Sequence, residues 1–194
     1  MSIPVPELGT SWPRLDQSAK KERLLKSAAE VFSRDGLDAS MPAVAAAAGA
    51  GVASVYRQFD SKHDLLAALV ERRLEQVAEG AQRAASQEGT RWSALTELLS
   101  NLVEQQSCDE FMGDAMRKVD GHPAVHAASK RAYAALEQLL DDARSEGRLR
   151  ADASILDLRL LFAATRAARH LEPDLQGRML ELLIDGLDTE PGCA

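Results

Sequence analysis

Six residues in an eleven-residue stretch have side chains suited to gripping and reading a polyanion: Val52, Ala53, Ser54, Tyr56, Arg57 and Lys62. A guanidinium such as that of Arg57 can form two parallel hydrogen bonds with a guanine edge, and Val52 or Ala53 can touch a thymine methyl. Arg57 could equally hold a phosphate or carry a solvated charge. Lys62 stands where a helix is expected to begin, and free N–H groups and the helix macrodipole already favour an anion there. Ser40, at another expected helix start, is a further phosphate candidate. Phosphate contacts set register but carry little sequence information, so base reading falls to Val52, Ala53, Ser54 and Arg57. No nucleophile–base–acid set, nucleophile elbow or phosphate loop occurs anywhere in the chain, so no catalytic residue and no cofactor are expected.

Two short helices and the start of a third must hold these groups. Ser40 is placed to cap the first helix, and Pro42 fits its first turn. Gly49 follows the last apolar position, where a left-handed residue commonly ends a helix. Gly51 is a weak cap for the second helix, expected over 52–58, whose Val55 and Phe59 share one face. Asp60 or Ser61 caps the next helix. The pattern is that of a helix–turn–helix, whose exposed second helix enters the major groove. Helix–Gly–helix alone is shared by unrelated helix pairs; the specific elements are Tyr56, Phe59 and Lys62 at their mutual spacing.

Through RLLKSAAEVF at 23–32, Gly36, Ala48 with Gly49, and VYRQFDSKHDLL at 55–66, the sequence resembles the TetR family of transcriptional regulators. The resemblance covers roughly residues 20–70. It implies phosphate contacts for Tyr56 and Lys62. Two positions depart from the family pattern: Ala50 stands where Val is usual, and Gly51 where Ser or Gly is common. A weak cap there would leave the reading helix mobile before DNA binds. Shorter segments of the body, HPAV, EGRLRAD and LLIDGL, resemble C-terminal domains of one branch of the family.

The chain has 194 residues, 45% hydrophobic, 27% charged and 4% aromatic, with a net charge of −7. Such a composition suits a folded globular protein, and scarce aromatics with abundant Ala, Leu, Glu and Arg predict an all-α fold. The acidic total argues against indiscriminate polyanion binding. Residues 14–70 nevertheless carry eight basic and seven acidic side chains, net +1, so the acidity lies in the rest. A locally basic module on an acidic body fits a DNA binder that grips through one face.

Three regions are expected: a flexible arm over 1–16, a helix–turn–helix DNA-binding domain over 17–66, and a helical ligand-binding and dimerisation domain over 67–194. Arg14, Lys20 and Lys21 would lie near the DNA backbone or minor groove. The first stretch lacks a signal-peptide pattern and nothing later is long enough to span a membrane, so a cytoplasmic location is expected. Helices are expected over 17–34, from about 61 to 85, from 92, around 111–119, over 123–146, over 155–170, and from 173 or 174 to 187, with a frayed end over 188–194.

In the body, Trp92, Leu99, Cys108, Phe111, Met112, Met116, Tyr133 and Phe162 could line an effector pocket or be plain core. The last two helices carry more apolar positions than one stripe needs. Leu161, Ala164, Ala168, Met179, Leu183 and Leu187 are therefore assigned to a homodimeric four-helix interface, with Thr165 beside them. A two-fold dimer would set the reading helices about 34–36 Å apart on a near-palindromic operator. His122 and His126 have metal-ligand spacing, but His122 precedes Pro123 at a helix start, so no metal site is assigned. Cys108 and Cys193 are too few for a disulfide framework. Three function classes remain: a ligand-released repressor acting on double-stranded operator DNA, a DNA-binding regulator with no small effector, and an all-helical binding protein or enzyme.

Overall fold

The computed structural model describes residues 12–108, 111–172 and 174–189; of residues 13, 106–108 and 170 it describes the backbone alone. The expectations for the arm over 1–11, for the Cys108 side chain and for Cys193 fall outside the described residues. Among the described residues, nine α-helices follow a short 3-10 turn at Trp12–Arg14: α1 Gln17–Asp35, α2 Met41–Ala48, α3 Val52–Tyr56, α4 Lys62–Ser86, α5 Arg91–Cys108, α6 Met112–Lys118, α7 Pro123–Ser145, α8 Ile155–Leu171 and α9 Leu175–Leu187. The fold is all-α, as expected.

Local chemistry sets the helix starts. The Asp16 carboxylate accepts the Ala19 N–H at 2.8 Å, and Ser40 Oγ that of Ala43 at 3.3 Å. Ser61, not Asp60, caps α4, accepting from Asp64 N–H at 3.1 Å and donating to its carboxylate at 2.6 Å. Ser154 and Asp157 form a reciprocal capping box on α8. Gly49 closes α2 in the left-handed region, φ 65°, its N–H reaching the Ala45 and Ala46 carbonyls. At the far end of α4 the last carbonyls would be orphaned. Arg91 reaches back to those of Ala84 and Ala85, and its own N–H meets Glu146 at 2.7 Å.

Apolar side chains gather in two cores. The first holds Leu24, Phe32, Val44, Val55, Phe59, Leu65 and Val70 from α1–α4 and the turn that follows α3, joined by Phe111, Ala115 and Val119 around α6 and by Val125 and Ala128 of α7. The second joins the C-terminal halves of α4 and α7 to α5, α8 and α9 through Trp92, Leu95, Leu99, Leu139, Leu158 and Leu161. The long helices α4 and α7 run through both. Trp12 packs partly buried against the first core, so the start of the described chain is anchored there.

The end expected to fray is partly held. Arg148 grips the Asp188 carboxylate with two hydrogen bonds, at 3.1 and 2.5 Å, while its guanidinium lies 5.9 Å from the centre of the Trp92 ring. Thr189 N–H donates to the Arg148 carbonyl at 2.9 Å, closing an isolated β-bridge between Leu149 and Asp188. Periodicity gives no sign of this, because the partners stand 40 residues apart. Residues 190–194 lie outside the described residues.

Candidate nucleic-acid interface and body cavity

Val55 and Phe59 are buried and seat the second helix of the helix–turn–helix in the first core. That leaves Val52 and Tyr56 40% and 47% exposed, with Ala53 and Arg57 also outward and Ser54 half-buried. All five residues of this helix expected to read or grip DNA thus lie away from its anchored face. The helix proper ends at Tyr56 rather than Gln58, with Arg57 as its cap; Phe59 N–H still bonds the Val55 carbonyl at 2.9 Å, so a helical turn carries on. Gly51 supplies no side-chain cap, as its lack of a side chain dictates.

The polar groups on this face hold one another. Arg57 Nη2 donates to Ser54 Oγ at 2.8 Å, so the guanidinium lies along the helix. Gln58 donates to Gln17 at 2.5 Å and ties the reading helix to the start of α1. Lys62 is the first residue of α4 and its ammonium lies 5.8 Å from the centre of the Phe32 ring. Ser40, exposed, still has a hydroxyl proton to give beyond its cap. Arg14 and Lys21 are exposed and Lys20 half-buried.

A cavity of about 380 Å³ opens between α4, α5, α6, α7 and α8. Leu74 and Val77 of α4, Leu102 of α5, Met112 and Met116 of α6, Tyr133 and Leu136 of α7, and Leu158 and Phe162 of α8 make its apolar wall. Of the effector candidates, Met112, Met116, Tyr133 and Phe162 line it. Trp92 and Leu99 are buried in the second core instead. Phe111 packs in the first, its ring 5.9 Å from that of Phe32.

Four arginines, Arg73, Arg117, Arg159 and Arg166, also line the cavity, and among the described residues no Asp or Glu does. Arg117 pairs with Asp114, and Arg73 bonds the Gln105 side chain. Arg159 and Arg166 have no carboxylate partner among the described residues. Arg166 lies so close to α6 that a methyl on Gly113 would sit 1.8 Å from its Nη1. A search for apolar pocket residues passes over these arginines, since an Arg on a helix reads first as a solvated charge.

The helix α6 therefore belongs to two environments. Met112, Gly113, Met116 and Arg117 face the cavity, while Ala115 and the flanking Phe111 and Val119 are sealed in the core of the helix–turn–helix module.

The dimer candidates divide. Leu161, Ala168 and Leu187 are buried within the chain, as is Thr165, whose hydroxyl donates to the Leu161 carbonyl at 2.9 Å. Ala164, Met179 and Leu183 are half-buried. The large apolar side chains left outside are others: Leu156 and Leu160, 63% and 65% exposed, with Leu171 on α8, and Leu175 and Leu182 on α9. The same periodicity serves either face of α8, and packing against the second core selects which turns inward.

His122 occupies the N-cap position of α7 without a side-chain capping bond and turns toward α4, not along α7 toward His126. The ligand-type side chains brought together are His63, Asp64 and His122. The Ser61 hydroxyl, and after it His122, hold the Asp64 carboxyl below the usual carboxylate range despite some desolvation.

An exposed reading helix seated on a three-helix core, in front of an all-helical body, defines a helix–turn–helix transcriptional regulator. The chain belongs to the TetR family: residues 24–69 match the model of the bacterial regulatory proteins of the tetR family, and residues 92–189 that of the C-terminal domain of SbtR-like transcriptional regulators. It is similar to a TetR transcriptional regulator from Streptomyces coelicolor, 26% identical over 87% of this chain and 98% of that one, TM-score 0.67. A TetR regulatory protein from Mycobacterium vanbaalenii is 27% identical over 89% and 97%, also at 0.67. The regulator FadR from Bacillus subtilis, solved with stearoyl-CoA, shares the fold at 17% identity over 86% and 98%, TM-score 0.66. No protein of curated function matches the chain. No helix among the described residues is long and apolar enough to cross a membrane.

Proposed function

We propose that the protein is a homodimeric repressor that leaves its operator DNA when a small amphipathic anion enters the body cavity. The double placement of α6 supports this most. A molecule that presses on Met112 or Met116, or on Arg166 where it abuts Gly113, acts on α6, whose other face is part of the DNA-binding module's core. If it binds better to one setting of that module than to another, it must change operator affinity, and DNA must change its affinity by the same factor.

The lining favours an effector with an apolar body and a carboxylate or phosphate head. The wall is aliphatic and aromatic, and Arg159 and Arg166 have no carboxylate partner among the described residues. Guanidinium pairs well with planar anions. FadR carries a ligand with both parts, an acyl chain and phosphates, on a similar fold. Acting on chromosomal DNA, the repressor works in the cytoplasm.

Tyr56, Lys62 and Ser40 hold phosphates in this reading, and Val52, Ala53, Ser54 and Arg57 meet base edges. Arg57 must first leave Ser54, which frees both groups for the groove. A dimer formed through the outward faces of α8 and α9 presents two reading helices to a near-palindrome.

The test pairs two readouts. Fluorescence anisotropy with DNA from the chain's own promoter should show sequence-specific binding that decanoate weakens. Thermal shift should show stabilisation by decanoate and less by decanol at equal concentration. No specific binding to any promoter fragment would overturn the regulator reading. Specific binding that no amphiphile alters would favour a regulator without a small effector.

A further inference from the structure

The geometry points to a site for a zinc-class divalent cation between His63 and Asp64 of α4 and His122 at the start of α7, clamping the DNA-binding module to the body. His122 Nε2 lies 3.6 Å from Asp64 Oδ1, and the His63 and His122 rings are 5.6 Å apart between centroids. One ligand atom from each of the three side chains falls within 4.8 Å of the others. A tetrahedral ion with bonds of about 2.0–2.2 Å needs its ligand atoms roughly 3.3–3.5 Å apart. The cluster must draw in by no more than about 1.5 Å to meet that spacing. His63 is exposed, so its side chain is free to rotate inward.

The imidazole of His122 is poorly served as it stands. Its side chain is only 23% exposed, and Nδ1 is buried with no hydrogen-bond partner among the described residues. Nε2, at 3.6 Å from the carboxylate, is beyond ordinary hydrogen-bond range. A metal bond at one nitrogen would give that nitrogen the partner it now lacks. Asp64 is already oriented: its other oxygen is held by the Ser61 hydroxyl at 2.6 Å, leaving Oδ1 toward His122. That is the outer-shell support a metal-binding carboxylate ordinarily has.

The chemistry of the set narrows the ion. The N-termini of α4 and α7 both meet here, and their dipoles oppose a cation. One carboxylate does not suffice for Mg²⁺ or Ca²⁺, which want several oxygens. Two imidazoles suit Zn²⁺, Ni²⁺ or Co²⁺, whose bonds to nitrogen are strong enough to outweigh the dipoles. Three protein ligands leave the fourth position open.

The clamp's position gives it a consequence. His63 follows Lys62 directly, and α3 ends six residues before Lys62. An ion shared with α7 therefore pins the phosphate-gripping end of α4 to the body, and operator and metal affinities become linked. This second step rests on the proposed regulator function; the site itself does not.

Co²⁺ titrated into the full-length metal-free protein tests the site. The expected result is one ion per chain with the intense visible spectrum of four-coordinate nitrogen and oxygen ligation, displaced by Zn²⁺. His63→Ala and His122→Ala should each lose more than the roughly 10- to 100-fold in affinity that removal of a mere supporting group costs. His63 is exposed and its variant should fold, as circular dichroism in chelator would verify. Binding of no Co²⁺, or binding unchanged in both variants, overturns the site. Operator anisotropy with and without Zn²⁺ tests the linkage: wild type should shift and His63→Ala should not. A wild-type operator affinity indifferent to bound Zn²⁺ overturns the clamp while leaving DNA binding itself intact.

Discussion

Lys62 has one partner within the chain and, in the proposed function, a second on the DNA. Its ammonium stands at a helix start, ready for a phosphate, and also near the face of Phe32. Lys62→Ala should weaken binding to all DNA sequences alike and lower the salt slope by about 1. It should also cost about 0.5–1 kcal/mol of thermal stability through the lost cation–π contact. Arg57→Ala should instead relax specificity at one base pair, by about 1–3 kcal/mol, with a smaller change on unrelated DNA. Parallel anisotropy titrations on operator and scrambled DNA separate the two outcomes. Within the cavity, Arg166→Ala should weaken decanoate by about 1.5–3 kcal/mol, the worth of a hydrogen bond to a charged group, and leave decanol unchanged. Calorimetry of both ligands on both proteins checks this. Equal losses for acid and alcohol would mean that Arg166 shapes the pocket rather than binding the head group.

The corner between α2 and α3 depends on one backbone conformation. Gly49 at φ 65° and ψ 30° bends the chain so that α3 leaves at the angle Val55 requires. A methyl there is strained by about 1–2 kcal/mol, so Gly49→Ala should lower the melting temperature and operator affinity together. Thermal unfolding and anisotropy on the same preparation check the pairing. At α6 the packing is tighter still. Ala115 is fully buried in the first core, and Ala115→Leu should cost about 1–3 kcal/mol by overpacking. Because the extra carbons press α6 away from the DNA-binding module, operator affinity should shift although the residue lies in the body helices. A variant destabilised to that extent with unaltered operator affinity would separate α6 from the DNA switch.

At the scale of the molecule, the proposed dimer uses the outward faces of α8 and α9 as its seam. Leu156, Leu160 and Leu171 line α8 outward, with Leu175 and Leu182 on α9. Leu160→Glu would place like charges across a two-fold axis and should yield monomers in light scattering, with weak operator binding. Leu183 is a poorer probe, because it also packs against the second core and its change would mix folding with assembly. A wild-type monomer at micromolar concentration would remove the dimer from the account.

Taken alone, the sequence determined the helices and the reading face. The cap at Ser40, a cap for α4 within Asp60–Ser61, the stop at Gly49 and the Val55–Phe59 spacing are local codes, written within one or two turns, and they place Val52, Tyr56 and Arg57 outward without knowledge of any neighbour; that Ser61 rather than Asp60 makes the cap is seen only in the structure. Tertiary structure decided whatever depends on which face meets which helix. Leu161 and Leu160 are adjacent in the chain, and only contact with the second core sends one inward and leaves the other out. Arg159 and Arg166 become cavity residues because α6 and α7 lie opposite them. His122, paired on paper with His126, meets His63 and Asp64 across nearly sixty residues of chain. Helical periodicity states which residues share a face; it carries no information about what that face will touch.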